Sequence, residues 1–218
     1  MRGMKRVLVA TSNEGKIRDL AGAAKAHGVE IATLPDFASL PTVIEDGPTF
    51  EANARKKAEH YSHYYEGELV IADDSGLEVD ALKGAPGVRS ARYAADEHSP
   101  DEHGGNSDDE ANNARLLREL HDVPEEFRNA RFVCVIAVAV SGHTLAIFEG
   151  HVEGLILHTP RGSNGFGYDP LFFFPEIEKT FAELTAEEKA KYSHRGAAFR
   201  QFLEWEDHLE ELHPHNAQ

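Results

Sequence analysis

The chain has 218 residues, of which 22 are Lys or Arg and 38 are Asp or Glu, giving a formal net charge of −16. A negative field of this size repels phosphate backbones and anionic lipids, which argues against general nucleic-acid binding and against docking on membranes. The length supports one sizeable core, so we expect a single domain over residues 1–218.

The N-terminus and the single cysteine point to a cytoplasmic protein. The first residues lead into only four apolar positions, 7–10, which is too short a run for a signal peptide. No apolar stretch approaches the roughly 18 residues that a membrane span needs. Cys134 lies in the apolar run 132–140, which predicts a buried strand and a thiol with no partner for an internal disulfide. A reducing compartment is therefore expected.

A strand, a polar loop and a helix are predicted at the start of the chain. Residues 7–10 read as a buried strand, TSNEGK follows at 11–16, and Ile17, Leu20 and Ala24 then recur at helical spacing. The loop has no Gly-x-x-x-x-Gly-Lys-Ser/Thr pattern, and no Gly-x-Gly-x-x-Gly follows the strand. These absences argue against a Walker loop and against a dinucleotide fold.

A second helix is predicted over residues 50–65, with Thr49 as its N-cap. It carries the basic triplet Arg55-Lys56-Lys57. Such a triplet is more often a solvated helix face than a binding site, and we interpret it as a solvated face.

Two adjacent carboxylates, Asp73 and Asp74, follow the apolar run 69–72 and are the most informative feature of the chain. A short apolar run that ends in a turn signal predicts a buried strand, and ligands of open α/β sheets gather where strands end. A metal-binding acid would lie there. If the strand continues through Asp74, only one of the two carboxylates can face a given cleft. The alternative is that Asp-Ser-Gly is only a polar turn.

The middle of the chain combines a polar loop with a predicted hairpin. Residues 95–109 are acidic and lack large apolar groups, so they predict a mobile loop that cannot repay the entropy of ordering. A helical period resumes at Glu110. A hairpin is then predicted between the strand around Cys134 and residues 145–148, and a separate short strand at 152–157.

A Gly-rich loop at 162–170 places Phe166 and Tyr168 beside Asp169. Its glycines let the backbone approach a ligand closely, and the aromatic rings offer flat apolar faces. Aromatic faces with one carboxylate suit a heterocyclic base. The alternative is a tight loop that anchors its aromatic side chains in the core.

The last third of the chain predicts two consecutive helices. Thr185 to Glu188 match a capping box that starts a short helix carrying Lys189, and Ser193 is the predicted N-cap of the final helix. His194 and Arg195 then fall in the first turn, where basic residues oppose the helix dipole. Recruitment of a phosphate or an electron-rich carbonyl would explain them.

Five segments together resemble the inosine/xanthosine triphosphate pyrophosphatase family. They run in the family's order: TSNEGK at 11–16, FEANARKKA at 50–58, ADDSGLEVDALKGAPGVRSARY at 72–93, GFGYDPLF at 165–172 and KTFAELTAEEKAKYSHRG at 179–196. The resemblance implies a two-lobed α/β fold with a long mixed β-sheet and a nucleotide cleft between the lobes. It further implies a homodimer that depends on Mg²⁺ and converts purine triphosphates such as dITP, ITP and XTP to the monophosphate and pyrophosphate.

The same resemblance assigns roles to individual residues. Asp74 is the implied catalytic base and metal ligand, and Asp73 is a second candidate metal ligand. Family members often carry a metal-binding Glu three residues before the position of Gly47, but Ile44 stands there, so Glu45 is taken as its substitute. His194 and Arg195 would read the 6-oxo group of the purine. The implied substrate contacts are Thr11, Ser12, Asn13, Lys16, Ser75, Phe166, Gly167, Tyr168, Asp169, Lys189, His194 and Arg195.

Two alternative functions remain open from the sequence. One is a regulator that binds nucleotides without turnover, although clustered acids beside a phosphate site favour catalysis. The other is a housekeeping pyrophosphatase for another modified nucleotide, although the segment Ser193-His194-Arg195 favours purines.

Overall fold

The computed structural model describes residues 5–25, 27–95 and 108–212. These residues contain five α-helices: α1 (Glu14–Lys25), α2 (Phe50–Ser62), α3 (Asp109–Glu119), α4 (Ala186–Tyr192) and α5 (His194–Leu212). The strands are β1 (Lys5–Val9), β2 (Val29–Thr33), β3 (Val70–Val79), β4 (Asn129–Val140), β5 (His143–Ile156), β6 (Phe172–Phe174) and β7 (Lys179–Thr180). None of the helices in these ranges is long and apolar enough to cross a membrane.

The strands form one mixed sheet in the order β2-β1-β3-β4-β5-β6-β7. Strand β1 pairs in parallel with both β2 and β3. Every pairing from β3 to β7 is antiparallel. The predicted α/β class with a long mixed sheet is confirmed.

Helices cover both faces of the sheet because successive strand residues point to opposite sides. Helices α1 and α5 pack on one face, against a cluster that includes Val7, Ile71 and Ile136. Helix α2 packs on the other face, against a cluster that includes Val70 and Val135. A third cluster lies where the end of β3 pairs with the start of β4. It consists largely of side chains from α3, β5, β6 and the segment after β7.

The three predicted helix caps are present. Thr49 Oγ1 accepts a hydrogen bond from the Ala52 amide at 3.1 Å. Thr185 and Glu188 form a reciprocal capping box at the start of α4. Ser193 Oγ accepts from the Gly196 amide at 3.1 Å and so caps α5. These caps satisfy amide groups that the first turn of a helix leaves without intrahelical partners.

Strand β3 does not end at the acidic pair, so the predicted strand end at Asp73 and Asp74 is wrong, and so is the polar-turn alternative. The strand continues to Val79 and pairs with β4 along its whole length. Asp73 is tolerated inside the strand because Lys16 and Arg195 pair with it, and Asp74 accepts a hydrogen bond from Asn53 of α2. Parallel strand β1 does end here, since Val9 pairs with Ile71, so the acids lie just beyond the carboxyl end of β1.

Two further predictions need correction. The segment 145–148 and residues 152–156 of the predicted strand 152–157 belong to the single strand β5, which begins after a turn with positive φ at Ser141 and Gly142. The predicted hairpin between β4 and β5 is confirmed. Helix α3 begins at Asp109 and is capped by Asp108, so the predicted loop 95–109 is helical at its end. The mobility prediction falls on residues 96–107, which lie outside the described residues.

Candidate functional site

A cavity collects most of the predicted site residues, which lie far apart in the sequence. The start of α1, the middle of β3, the Gly-rich loop and the two C-terminal helices all reach it. The predicted residues that line it are Asn13, Lys16, Ser75, Phe166, Gly167, Tyr168, Asp169, Lys189, His194 and Arg195; additional lining residues include Gly76, Ser90, Ala91, Asp109, Asn112 and Phe132. Thr11, Ser12, Glu45, Asp73 and Asp74 do not line this cavity.

The start of α1 forms one rim of the cavity. Asn13 Oδ1 accepts from the Lys16 amide at 3.0 Å, and Thr11 Oγ1 accepts from the Asn13 amide at 3.2 Å. Ser12 is exposed on the same turn. The Lys16 ammonium group lies 3.2 Å from Asp73 Oδ2. A helix N-terminus next to a lysine is a favourable place for a phosphate group.

The Gly-rich loop packs Phe166 directly on α1. A Cβ atom at Gly15 would lie 2.5 Å from the Phe166 ring, so the glycine in TSNEGK permits this contact. Asp169 Oδ2 accepts from the Phe166 amide at 2.9 Å and from Lys189 Nζ at 2.6 Å. Lys189 Nζ also lies 4.7 Å from the Phe166 ring centre. The contacts with Gly15 and Lys189 thereby fix the position of the Phe166 ring beside the cavity.

His194 is buried and stacks on Phe132, with 4.8 Å between ring centres and 13° between ring planes. Burial, with the nearby charges of Arg195 and Lys189, lowers the pKa of His194 well below its usual value. The imidazole is therefore neutral at physiological pH. Its Nδ1 atom is buried and has no hydrogen-bond partner within the described residues.

Arg195 is 1% exposed and forms the centre of a buried ion-pair network. Its Nη1 donates to Asp19 Oδ2 at 2.7 Å, its Nε to Asp73 Oδ2 at 3.3 Å and its Nη2 to Ser75 Oγ at 2.7 Å. These contacts use three of the five N–H groups of the guanidinium group. Lys189 lies 3.1 Å from the same Asp19 oxygen.

Asp73 and Asp74 point to opposite faces of the sheet, as alternation along β3 requires. Burial raises the pKa of Asp73, but Lys16, Arg195 and Lys57 outweigh it, so the pKa lies well below its ordinary value. Asp73 Oδ2 makes the ionic contacts with Lys16 and Arg195, whereas Oδ1 has no hydrogen-bond partner within the described residues.

Asp74 belongs to a second group, between β3 and α2. Lys57 Nζ lies 2.6 Å from Glu45 Oε2, 2.7 Å from the carbonyl oxygen of Asp73 and 3.8 Å from Asp74 Oδ1. Burial raises the pKa of Asp74, and the nearby Lys57 and Lys16 do not fully offset it. Burial lowers the pKa of Lys57, but the carboxylates of Asp74 and Glu45 outweigh it, so its net pKa is raised.

The two groups meet at a single main-chain atom. The carbonyl oxygen of Asp73 accepts from Lys57 Nζ at 2.7 Å and from Lys16 Nζ at 3.4 Å. Lys16 lines the cavity, and Lys57 contacts the carboxylates of the second group. The cavity and the acidic group are thus neighbouring parts of one site.

The acidic group suits a magnesium ion that is also held by phosphate oxygens. Among the described residues, no set of three or more His, Cys, Asp or Glu side chains could hold a metal by itself. Mg²⁺ usually takes only one or two protein carboxylates, with water and substrate phosphates completing its shell. Asp74 and Glu45 supply two such carboxylates on either side of Lys57, so the donor chemistry fits the ion.

Known proteins are similar to this chain over most of its length. A model of the Ham1 family matches residues 7–205. The chain belongs to the Ham1 family. A Ham1 protein of Staphylococcus aureus, whose structure is solved, is 40% identical with a TM-score of 0.74, covering 93% of this chain and 100% of that chain.

Relatives in the Ham1 family carry a consistent name. A protein of Acidobacterium capsulatum, named dITP/XTP pyrophosphatase, is 52% identical over 198 residues, which cover 89% of this chain and 95% of that protein. A protein of Desulforamulus reducens with the same name is 48% identical, covering 91% of this chain and 94% of that protein.

Sequence reasoning missed Asp19, Asn53 and Lys57, which contact predicted site residues, and also the six additional residues that line the cavity. The prediction that Lys57 lies on a solvated face is wrong, although Arg55 and Lys56 are exposed as predicted. Helical spacing carried a signal, because Asn53 and Lys57 lie one turn apart on the stripe that buries Phe50, Ala54, Ala58 and Tyr61. Asp19 likewise lies between buried positions of α1, Gly15 and Ala23.

Proposed function

We propose that the protein is a Mg²⁺-dependent nucleoside triphosphate pyrophosphohydrolase that converts dITP, ITP or XTP to the monophosphate and pyrophosphate. The observation that carries the proposal is the meeting of Lys16 and Lys57 at the Asp73 carbonyl, which joins the cavity to the buried acid Asp74. Ham1 relatives named dITP/XTP pyrophosphatase support the substrate class. The activity would remove deaminated purine nucleotides from the precursor pool.

The nucleotide would lie with its base in the cavity and its phosphates across the carboxyl end of β1. The α1 N-terminus and Lys16 would contact phosphate oxygens, since fixed donors and a positive charge favour an anion there. Asp74 and Glu45 would hold Mg²⁺, which neutralises charge on the phosphates when bound. Asp73 is already paired with Lys16 and Arg195, so we assign it to holding these cations in place.

Asp74 would act as the general base. A raised pKa brings a carboxylate closer to the basicity that proton transfer near neutral pH requires. Water would lose a proton to Asp74 and form a bond to the α-phosphorus. The bond from that phosphorus to the oxygen that bridges to the β-phosphate would break, and pyrophosphate would leave. Lys16 would stabilise the charge that develops on the phosphates.

Base selection would depend on hydrogen-bond donors at the start of α5. Arg195 retains two N–H groups beyond its three buried contacts, and these can donate to O6 of hypoxanthine or xanthine. The 6-amino group of adenine is itself a donor, so it would face another donor. A site built around such a hydrogen bond can discriminate by about 10⁴ to 10⁵.

We also propose a cytoplasmic homodimer. The single buried thiol of Cys134 suits a reducing compartment. The strongly acidic composition argues against a nucleic-acid partner. The homodimer follows only from the family resemblance. Light scattering of the purified protein would test it, and a mass of one chain would overturn it.

Pyrophosphate release from dITP, XTP, dATP and dUTP, measured with and without Mg²⁺, tests the proposed reaction. We expect rapid release from dITP and XTP only when Mg²⁺ is present. Tight binding of dITP without release would instead support a regulator. A preference for dUTP would instead indicate a pyrophosphatase for another modified nucleotide.

A further inference from the structure

Asn53 on α2 contacts both parts of the acidic group and is 1% exposed. Its Nδ2 donates to Asp74 Oδ2 at 3.0 Å. Its Oδ1 accepts from the Gly47 amide at 2.7 Å. A single amide side chain therefore links the buried acid on β3 to the loop that leads into α2.

That loop also carries Glu45, two residues before Gly47. Glu45 Oε2 lies 2.6 Å from Lys57, the same cation that faces Asp74. The loop passes close to Asn53, since a Cβ atom at Gly47 would lie only 2.6 Å from Asn53 Oδ1. The distance between the carboxylates of Glu45 and Asp74 thus depends on two hydrogen bonds of Asn53, one to Asp74 and one to the Gly47 amide in the loop that carries Glu45.

The hydrogen bond from Asn53 also distinguishes the two oxygens of Asp74. Oδ2 is taken by the Asn53 amide, whereas Oδ1 faces Lys57 at 3.8 Å, beyond hydrogen-bond length. A carboxylate with one oxygen fixed by a buried donor has a defined orientation, because rotation would leave the amide without its acceptor. Oδ1 is then the oxygen presented to other groups.

We infer that Asn53 is a positioning residue that presents Asp74 Oδ1 and holds the Glu45 loop beside it, which together form the metal-binding arrangement. This inference rests on the proposed function for the identity of the ion. Groups that orient metal-binding side chains from behind typically contribute 10-fold to 100-fold to metal affinity or activity. Asn53 does not itself line the cavity that holds the predicted base-binding residues.

Two substitutions separate the two hydrogen bonds of Asn53. In Asn53→Ala both bonds are lost. In Asn53→Asp an oxygen remains to accept from the Gly47 amide, but the donor to Asp74 is replaced by a second negative charge. We expect kcat for pyrophosphate release to fall at least 10-fold in both variants, with the KM for dITP changed less than 3-fold.

Ser62→Ala provides a matched control on the same helix. Ser62 is fully buried at the end of α2, and its Oγ accepts from the Gly142 amide at 2.9 Å. Its loss removes a partly buried hydrogen bond to a main-chain amide, like the one that Asn53→Ala removes at Gly47, but away from the acids. We expect Ser62→Ala to lower the melting temperature about as much as Asn53→Ala, with kcat unchanged.

Mn²⁺ titration followed by electron paramagnetic resonance, without nucleotide, gives a readout independent of turnover. We expect Asn53→Ala to weaken Mn²⁺ binding at least 10-fold and Ser62→Ala to leave it unchanged. Wild-type Mn²⁺ affinity and kcat in either Asn53 variant would overturn the inference, as would an equal loss of both in Ser62→Ala. If the wild-type protein releases no pyrophosphate, the proposed function fails, while the Mn²⁺ comparison still decides whether Asn53 positions the acids.

Discussion

Arg195 Nη1 lies 2.7 Å from Oδ2 of Asp19, and both side chains are almost wholly buried. This ion pair joins the first turn of α5 to α1. Lys189 of α4 contacts the same carboxylate oxygen at 3.1 Å. One acid therefore pairs with two cations that line the cavity, and its contact with Arg195 explains how a charged basic residue is tolerated in the first turn of α5 despite the unfavourable dipole.

Asp19→Asn should destabilise the fold and weaken nucleotide binding. The substitution leaves Arg195 and Lys189 buried with one negative charge fewer between them. Removing one partner of a buried pair typically costs about 3 to 5 kcal/mol, and we expect a loss of roughly that size in urea unfolding. The KM for dITP should rise more than kcat falls, because both cations line the cavity and neither contacts Asp74.

Glu187→Gln is the control for Asp19→Asn. It removes the carboxylate that pairs with Lys25 at 3.3 Å between α4 and α1, which the contact of Lys189 with Asp19 also joins, but both of these side chains are more than three-quarters exposed. Exposed pairs contribute less than about 1 kcal/mol, so stability should change little. Equal effects in the two variants would show that the Asp19 pair has no special role.

Asp74→Asn should abolish most turnover while preserving the fold. A general base contributes about 10² to 10⁴ to the rate, and we expect kcat to fall within or beyond that range in a pyrophosphate-release assay. Burial already disfavours the charged form of Asp74, as its raised pKa indicates, so a neutral side chain there should not lower stability. Retention of activity would remove Asp74 from its proposed role, and loss of folding would make the acid structural.

Helical and strand periodicity predicted the fold well, because core positions of helices and strands must match their spacing. Thr49, Thr185 and Ser193 were recognisable as caps, since each precedes a periodic apolar face. Periodicity placed the end of β3 too early, because two adjacent charged residues followed by Ser-Gly are typical of a turn unless their buried partners are known. Those partners come from helices that lie distant in the sequence.

The site could be predicted only where a segment carried its own chemical pattern. TSNEGK and the Gly-rich loop were recognisable because glycines and polar groups cluster within a few residues. Lys57 was not, since a buried lysine and an exposed lysine have the same appearance in a helix sequence. Its burial depends on Glu45 and the Asp73 carbonyl, whose positions follow from tertiary packing.

Arg195→Lys should reduce discrimination against adenine nucleotides. Lysine retains the positive charge but lacks the planar fork that contacts Asp19, Asp73 and Ser75 while keeping N–H groups for a purine. We expect the ratio of kcat/KM for dITP to that for dATP to fall at least 10-fold. Unchanged selectivity with lower activity on both substrates would instead assign Arg195 to the phosphates.

His194 should make the fold less stable as the pH falls below neutrality. Its pKa in the folded state lies well below that of an unfolded histidine, about 6.5. Below pH 6.5 the unfolded chain therefore binds a proton that the folded chain does not, so the free energy of unfolding decreases as the pH falls. The limiting slope for one such proton is about 1.4 kcal/mol per pH unit.

Replacing His194 with Gln isolates this contribution, because other titrating groups are common to both proteins. Urea unfolding of the nucleotide-free proteins at pH 7.5, 6.5, 5.5 and 5.0 measures the difference. We expect the stability of the variant relative to wild type to increase as the pH falls, with the change concentrated below about pH 6.5. A pH-independent difference between the two proteins would show that His194 titrates normally in the folded state, and that its imidazole is not held neutral beside Phe132.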